Sequence, residues 1–510
     1  MQQSGVITCP DPSSRDDAKW DIVALGDAPS AWVSLYGGGV VVEDLDGDDL
    51  LDVVRMKKDG VDYFTQSTSD GGDGIPEWEL VEDKFDGYDM TLAGTGSAAD
   101  FDGDGDPDLF LGRYGAENHL FRNDNGDLVD VAAEMGLDRR PMLTLDSSWT
   151  DLDLDGDLDL MVGNYGHVPP KDISTIDESF LYRSEDGKGY SDISDWLPQR
   201  VQGAYVFLSS WVDVNDDLYP DLLAINDFFY VEPNALMVNQ GGEGLEVDLD
   251  CNFQYNFNGM GLGFGDINGD GTPDFAQSST GKLSWMLSTE MPVNPSGSLW
   301  IEYALSVGLE PQSDQGHIWG WGAELSDVDN DGDLDLPMNW GYWDDFPNRT
   351  SVGDGEGQRD GLWIQDDAGN LTNMADEWDF DDMYISRGLV MTDINRDGWL
   401  DAVKAQINGP TLVYLTRCGD NSWLQVDLVD KTTKNSAAIG AKITIEDNGE
   451  RWIRWNHIAG TSMFSSGPPE VHFGLGERSS IDQLEVRWPD GEISVFHDVD
   501  TRQHLKIIRR

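Results

Sequence analysis

Seven times in this chain an aspartate opens a nine-residue pattern with acidic or amide side chains at positions 1, 3, 5 and 9, and this repeat constrains the fold more than any other feature. The clearest copy is Asp100-Phe101-Asp102-Gly103-Asp104-Gly105-Asp106-Pro107-Asp108, where Gly or another turn-tolerant residue sits at position 4 or 6, because the backbone must curl there. Copy one is Asp44, Asp46, Asp48, Asp52; copy two is Asp100, Asp102, Asp104, Asp108; copy three is Asp151, Asp153, Asp155, Asp159. Copy four, Asp213, Asn215, Asp217, Asp221, keeps the acids but lacks Gly. Copy five is Asp266, Asn268, Asp270, Asp274; copy six is Asp327, Asp329, Asp331, Asp335; copy seven is Asp393, Asn395, Asp397, Asp401. The first aspartates recur every 51 to 66 residues, a near-constant period that means a repeat fold.

Oxygen ligands at this spacing form a cage for a hard cation. Calcium fits best, since it accepts six to eight oxygens at flexible geometry, and up to about seven ions are expected, one per loop. An EF-hand needs an acid at position 12, where the seven copies have Arg55, Leu111, Val162, Ala224, Gln277, Met338 and Lys404, so EF-hands are excluded. Four carboxylates in one loop make six like-charge pairs, each costing about 1 kcal/mol at ~4 Å in water and several times that when partly buried. An empty loop is therefore strained and a filled one relieved.

The formal charge of −65 is extreme for 510 residues, and seven divalent ions would cancel only about 14 of those charges. The remainder repels nucleic acid and anionic membranes, which removes polyanion partners from consideration. A saline habitat and a cation-concentrating surface both explain the charge, and neither excludes the other. No apolar run approaches the ~20 residues of a membrane span. The chain opens at Met1-Gln2-Gln3-Ser4-Gly5 without the basic and apolar regions of a signal peptide. Weak oxygen cages nevertheless suit the millimolar calcium outside cells, so an extracellular, cell-surface or periplasmic protein whose signal has been removed is expected.

The flanks of the loops set the kind of repeat. Short β-rich runs such as Gly39-Val40-Val41-Val42 precede them, and buried-looking runs such as Leu109-Phe110-Leu111 follow. A third strand is expected at Asn118-His119-Leu120-Phe121-Arg122-Asn123 and a fourth at Leu128-Val129-Asp130-Val131. Four strands per repeat, seven times over, predict an all-β, seven-bladed β-propeller. Blade seven has a third strand at Thr411-Leu412-Val413-Tyr414 but no fourth before the composition changes, and Trp20-Asp21-Ile22-Val23 has the right distance from Asp44 to supply it. Expected boundaries are an N-terminal segment 1–35, of which about 20–25 closes blade seven, a propeller over 36–418, and a β-sandwich-like domain over 419–510 with alternating runs such as Trp423-Leu424-Gln425-Val426-Asp427-Leu428. Cys9 and Cys418 would then be neighbours, and a disulfide and a pair of unlinked thiols both fit; Cys251 stands apart.

The loops resemble FG-GAP/VCBS repeats, the calcium-loop blades also found in integrin α-subunit propellers, and Phe264-Gly265 before Asp266 matches that signature. Ile439-Gly440-Ala441, His472-Phe473-Gly474-Leu475-Gly476 and Val486-Arg487-Trp488-Pro489-Asp490-Gly491 resemble an ASPIC/UnbV domain. The combination resembles the cartilage acidic protein (CRTAC) family and implies calcium in the loops, an exported or surface location, and adhesion or matrix roles. Copy four and blade five, whose third strand is read around Leu236-Met237-Val238, depart most from the pattern.

Catalytic signals are poor. The seven histidines are scattered without His-Glu-x-x-His spacing, no Gly-x-Ser-x-Gly elbow occurs, and Gly261-Leu262-Gly263-Phe264-Gly265 runs into a loop instead of a helix. Trp149, Trp211, Trp319 and Trp321 stand just before loops, and Trp340-Gly341-Tyr342-Trp343 follows loop six. As inter-blade core they would be structural; on an open face beside calcium they would suit sugar recognition. Asn348-Arg349-Thr350 and Asn370-Leu371-Thr372 match glycosylation sequons. The expectation is a secreted or surface protein that recognises a protein or glycan and is not an enzyme. The alternative is a polysaccharide-acting enzyme of lyase type, or an accessory protein of natural-product biosynthesis, on the same scaffold.

Overall fold

The computed structural model describes residues 19–27, 37–57, 59–67, 75–137, 140–166, 177–254, 258–290, 295–310, 318–342, 358–458, 462 and 464–510, together with the backbone of 2–3. These residues are nearly all β, with helices no longer than one turn, such as Gln199–Gln202 and Ala304–Val307. Among them no helix is long and apolar enough to cross a membrane.

Seven antiparallel four-stranded units follow one another, and the third and second of them join at one edge into a wider sheet. Their first strands are Val40–Glu43, Ala93–Ala99, Met142–Thr150, Val206–Val212, Gly259–Gly265, Gly320–Ala323 and Ser386–Thr392. Each touches the next, and the last touches the first, so the sheets form a closed propeller ring. Where the first strands converge, some positions admit only glycine. A Cβ on Gly261 would lie 2.1 Å from the Trp321 carbonyl oxygen of the next unit, which accounts for the glycines of Gly259–Gly265. Second strands such as Asp159–Asn164 are buried along their whole length between neighbours, while fourth strands such as Asp127–Asp130 alternate exposed and half-buried.

In every unit the nine-residue pattern is the hairpin between first and second strands. The residue before position 1 pairs with position 9, as in Glu43↔Asp52, Ala99↔Asp108, Thr150↔Asp159, Val212↔Asp221, Gly265↔Asp274 and Thr392↔Asp401, with Ser326↔Asp335 as an isolated bridge. Trp20–Leu25 pairs with Thr411–Thr416 and is the outer strand of the seventh unit. One reading needs correction: Ala235–Asn239, around Leu236-Met237-Val238, is a fully buried third strand of the fourth unit, not of the fifth. The flanks of its apolar run, Asn234 and Asn239, match Asn118 and Asn123 around the third strand of the second unit.

After residue 418 two more sheets stack into a sandwich. One pairs Ser422–Asp430 with Glu470–Gly476 and Gln503–Arg509; the other pairs Lys442–Asp447 with Glu450–Trp455 and Ser480–Arg487, and Ser480–Arg487 with Ile493–Asp500. Leu424, Val426, Ile443, Phe473, Leu484 and Leu505 form its core. The sandwich also reaches into the ring. Ile458 bridges Trp149, Ser465–Ser466 runs parallel to Val40–Val41, and Phe464 packs among Tyr114, Leu145, Tyr205, Phe207 and Trp321 at the ring's centre. Cys251 is a buried free thiol, Cys418 is disulfide-bonded, and Cys9 lies outside the described residues.

Candidate cation loops and their cover

All seven loops share one backbone. Positions 4 and 6 are left-handed in each, whether the residues are Gly103 and Gly105 (φ 75° and 103°) or, in the glycine-less loop four, Asp216 and Leu218 (φ 63° and 83°). That double curl turns the position-6 N–H towards the position-1 carboxylate. Asp44, Asp100, Asp151, Asp213, Asp266, Asp327 and Asp393 accept it at 2.7 to 3.1 Å.

Position 9 is a backbone pin. The carboxylates of Asp52, Asp108, Asp159, Asp221, Asp274, Asp335 and Asp401 are at most 1% exposed. One oxygen of each accepts the position-2 N–H at 2.7 to 3.1 Å. The other accepts an N–H from the third strand at 2.6 to 3.3 Å, the donors being Gln66, Asn123, Ser184, Asn239, Ser288, Gln365 and Thr416. Each of these aspartates thus ties its loop to two strands.

Ligand oxygens converge within 4.8 Å in four loops: Asp44, Asp46 and Asp48; Asp100, Asp102 and Asp108; Asp151, Asp153 and Asp159; Asp327, Asp329 and Asp335. Position 9 stands apart from the group in loop one, and position 5 (Asp104, Asp155, Asp331) in the other three. Asp331 instead meets Asp333 and Asp367, the last on a turn not singled out in the sequence. The amides Asn215, Asn268 and Asn395 leave loops four, five and seven without a comparable trio of acids. Asp102, Asp151, Asp153, Asp266 and Asp327 each hold a buried Oδ1 with no hydrogen-bond partner, which is costly for a carboxylate unless a cation meets it. Burial, reinforced by Asp155, pushes Asp151 up to about 8, and burial pushes Asp100 up to about 6 and Asp108 up to about 9. The donor set, oxygens only, fits a hard cation.

The C-terminal sandwich sits on this loop face. Ser436 donates to Asp100 at 2.6 Å, and Lys434 and Asn435 donate backbone N–H groups to the Gly156 carbonyl. Arg487 pairs with Asp213 at 3.0 Å, Lys442 donates to the Gly271 carbonyl at 3.1 Å, and His504 Nε2 lies 3.2 Å from Asp393. A Cβ on Gly398 would fall inside the Trp423 ring, so loop seven accepts the sandwich only with glycine there. Sequence reading missed these contacts, although a signal exists: residues 419–510 carry 11 of the 32 Lys and Arg but only 14 of the 97 acids. The sandwich thus carries only −3 of the chain's −65, which lets it approach the propeller's negative loops while individual cations pair with them. Between them lies a cavity of about 110 Å³ lined by Glu324, Gln425, Arg454, His457, Glu470 and His472.

Trp149, Trp211, Trp321 and Trp340 are buried core, which removes them from any sugar-binding face, and Trp319 is packed against the Phe464 cluster. Trp343 and Asn348 to Thr350 lie outside the described residues. His119 is bound to Asp130 at 2.8 Å inside its blade.

A family model described as FG-GAP-like repeat matches residues 100–162, and one described as ASPIC and UnbV matches residues 431–510. This chain resembles the cartilage acidic proteins. Cartilage acidic protein 1 of Mus musculus is 32% identical over 110 residues, which are 21% of this chain and 17% of the mouse protein. The Homo sapiens protein is 31% identical over 110 residues, 21% of this chain and 16% of its own length. The chain thus aligns to about a sixth of the length of the curated relatives it matches. Similar solved structures include an Agrocybe aegerita lectin described as recognising non-reducing terminal N-acetylglucosamine (TM-score 0.42, 14% identity, 74% of this chain and 94% of that one) and BBS1N in complex with ARL6DN (TM-score 0.43, 12% identity, 78% and 97%).

Proposed function

We propose that this chain is a calcium-binding extracellular recognition or adhesion protein whose calcium loops are structural and whose ligand is a protein or a glycan. The observation that carries the cation reading is the set of buried, partnerless carboxylate oxygens on Asp102, Asp151, Asp153, Asp266 and Asp327. Positions 1 and 3 would hold the ion, joined by position 5 in loop one and by position 9, keeping its backbone hydrogen bonds, in loops two, three and six. Bound calcium supplies the positive charge that the like-charged loop carboxylates lack, and at 100 times its dissociation constant would add about 2.7 kcal/mol per site. Resemblance to cartilage acidic proteins supports an exported location and a recognition role. Because the sandwich covers the loop face, the face left for a ligand is the opposite one, where the connection from second to third strand of unit four exposes Phe229 and Tyr230. Tyr230 is 66% exposed, and an aromatic ring so placed suits a sugar face or an apolar protein contact.

Calorimetric calcium titration of the chelated and refilled protein, alongside a thermal melt, tests the loops. Multiple ions with a large rise in Tm are expected; an unchanged melt in excess chelator would overturn structural calcium. Glycan-array binding without product release is the expected recognition result, whereas unsaturated sugar products would establish the lyase reading instead.

A further inference from the structure

Loop four is closed by the same internal hydrogen bonds as loop seven, and what sets it apart is the pair of sandwich cations that reach it. Asp213 Oδ1 accepts the Asp217 N–H at 3.1 Å and Oδ2 the Leu218 N–H at 2.9 Å. Asn215 Nδ2 donates to Asp217 Oδ2 at 3.0 Å, while Asn215 Oδ1 accepts the Asp217 N–H at 3.1 Å. Asp221 is engaged by the N–H groups of Val214 and Asn239. No oxygen of this loop is among the buried partnerless ones that mark loops two, three, five and six, a feature it shares with loops one and seven.

Two cations of the sandwich reach the same place. Arg487 sets Nη2 3.0 Å from Asp213 Oδ2 and Nη1 2.6 Å from Asp216 Oδ1. Lys442 Nζ lies 3.2 Å from the same Asp216 oxygen. Arg487 is 17% exposed and Asp213 5%, so the pair is held largely out of water, where a guanidinium strongly repels a second cation. Leu218 at position 6, where glycine is usual, lies close against the sandwich: a Cβ on Gly491 would come within 2.8 Å of its Cδ1, so the approach requires glycine there. The missing glycine and the docked arginine thus belong to one arrangement.

We propose that loop four is not a calcium site but a docking point, in which Arg487 and Lys442 of the C-terminal sandwich take the place of the metal and fasten the sandwich to the propeller. This rests on the reading of the other loops as cation sites. Two side chains thereby set which loops accept calcium, and the number of ions is smaller than the number of loops.

Native mass spectrometry of the calcium-saturated full chain, with Asp102→Ala in loop two as the reference, counts the ions. Asp102→Ala is expected to lose one ion and Asp217→Ala none; loss of an ion from Asp217→Ala would overturn the proposal. Hydrogen exchange of residues 213–221 supplies the second reading. Its rate is expected to be the same in calcium and in chelator, and about five- to tenfold faster in Arg487→Met and in the surface variant Asp216→Asn. Unchanged exchange in both variants would overturn the docking role. Should the wild type bind no calcium at all, the general cation reading fails, and the exchange rates alone then decide whether Arg487 holds this loop.

Discussion

Asp21 Oδ1 and Arg417 Nη2 are 2.7 Å apart although 396 residues separate them in the chain. Asp21 lies in the strand Trp20–Leu25 and Arg417 just beyond its partner Thr411–Thr416; Trp20–Leu25 completes a sheet otherwise built from the far end of the propeller, so the ring is closed by hydrogen bonds between its two ends. The ion pair itself is about one-fifth exposed on each side and contributes at most about 1 kcal/mol. Trp20, 4% exposed and 5.8 Å from both Phe380 and Tyr414, does more. Trp20→Ala is expected to cost about 3–5 kcal/mol in denaturant unfolding, against less than about 1 for Arg417→Ala. Equal costs would mean that the closure rests on the ion pair.

Position 9 and position 3 of a loop are both aspartate, yet removing them should read differently. Asp108 is occupied by two backbone N–H groups whether or not a metal is bound, so Asp108→Asn, which loses one acceptor, is expected to cost about 1–3 kcal/mol already in chelator, and more in calcium, where a charged ligand is also lost. Asp102 carries a buried oxygen with no partner, and Asp102→Ala is expected to destabilise only in calcium. In chelator it relieves repulsion and leaves Tm unchanged or raised. A loss for Asp102→Ala in chelator equal to that in calcium would show that this carboxylate is structural without metal.

The repeat and its hairpin placement were legible because both are local, turn residues, acids and β-branched runs recurring within about ten residues of one another; the closing strand was legible because a unit of the repeat was one strand short. Asp108 as a pin was not separable from Asp108 as a ligand, since both roles ask for the same carboxylate. The cover over the loops was harder still. Arg487 stands in an extended run like many others, and its partner Asp213 is a unit-four loop acid far away in sequence. Phe464 is an apolar residue among serines and glycine, so no periodicity marks it, although it fills the centre of the ring with φ 63°. Only the uneven division of Lys and Arg between propeller and sandwich hinted that the two are pressed together.

Glu324 lines the cavity between propeller and sandwich and accepts the Met391 N–H at 3.1 Å. Burial pushes its carboxyl from 4.5 up to about 8. The folded protein therefore holds this proton where the unfolded chain has released it, and the stability it confers is complete below about pH 4.5 and is lost as pH rises to about 8. Glu324→Gln, which is neutral at every pH, is expected to leave Tm unchanged at pH 4.5 and to raise it progressively above, most at pH 8 and beyond. A difference from wild type that does not vary with pH would reject the buried proton.

Lys404 is the sharpest case of a charge that the blades cannot lose singly. It is fully buried, with Nζ 2.8 Å from Asp360 and also paired with Asp382, 2.9 Å from the Phe380 carbonyl, and 4.0 Å and 4.4 Å from the Phe380 and Tyr414 ring centres. Lys404→Met leaves two carboxylates facing each other in a buried site, at a cost of about 3–5 kcal/mol. Burial already pushes Asp360 up to about 8 against the pull of Lys404, so without the lysine it keeps its proton to still higher pH and one repulsion is avoided. Adding Asp360→Asn to Lys404→Met is therefore expected to cost less than the two single losses together, by about 1–3 kcal/mol in a double-mutant cycle of denaturant unfolding. Strict additivity would mean that the two groups do not sense each other and that the lysine is held by Asp382, the Phe380 carbonyl and the rings instead.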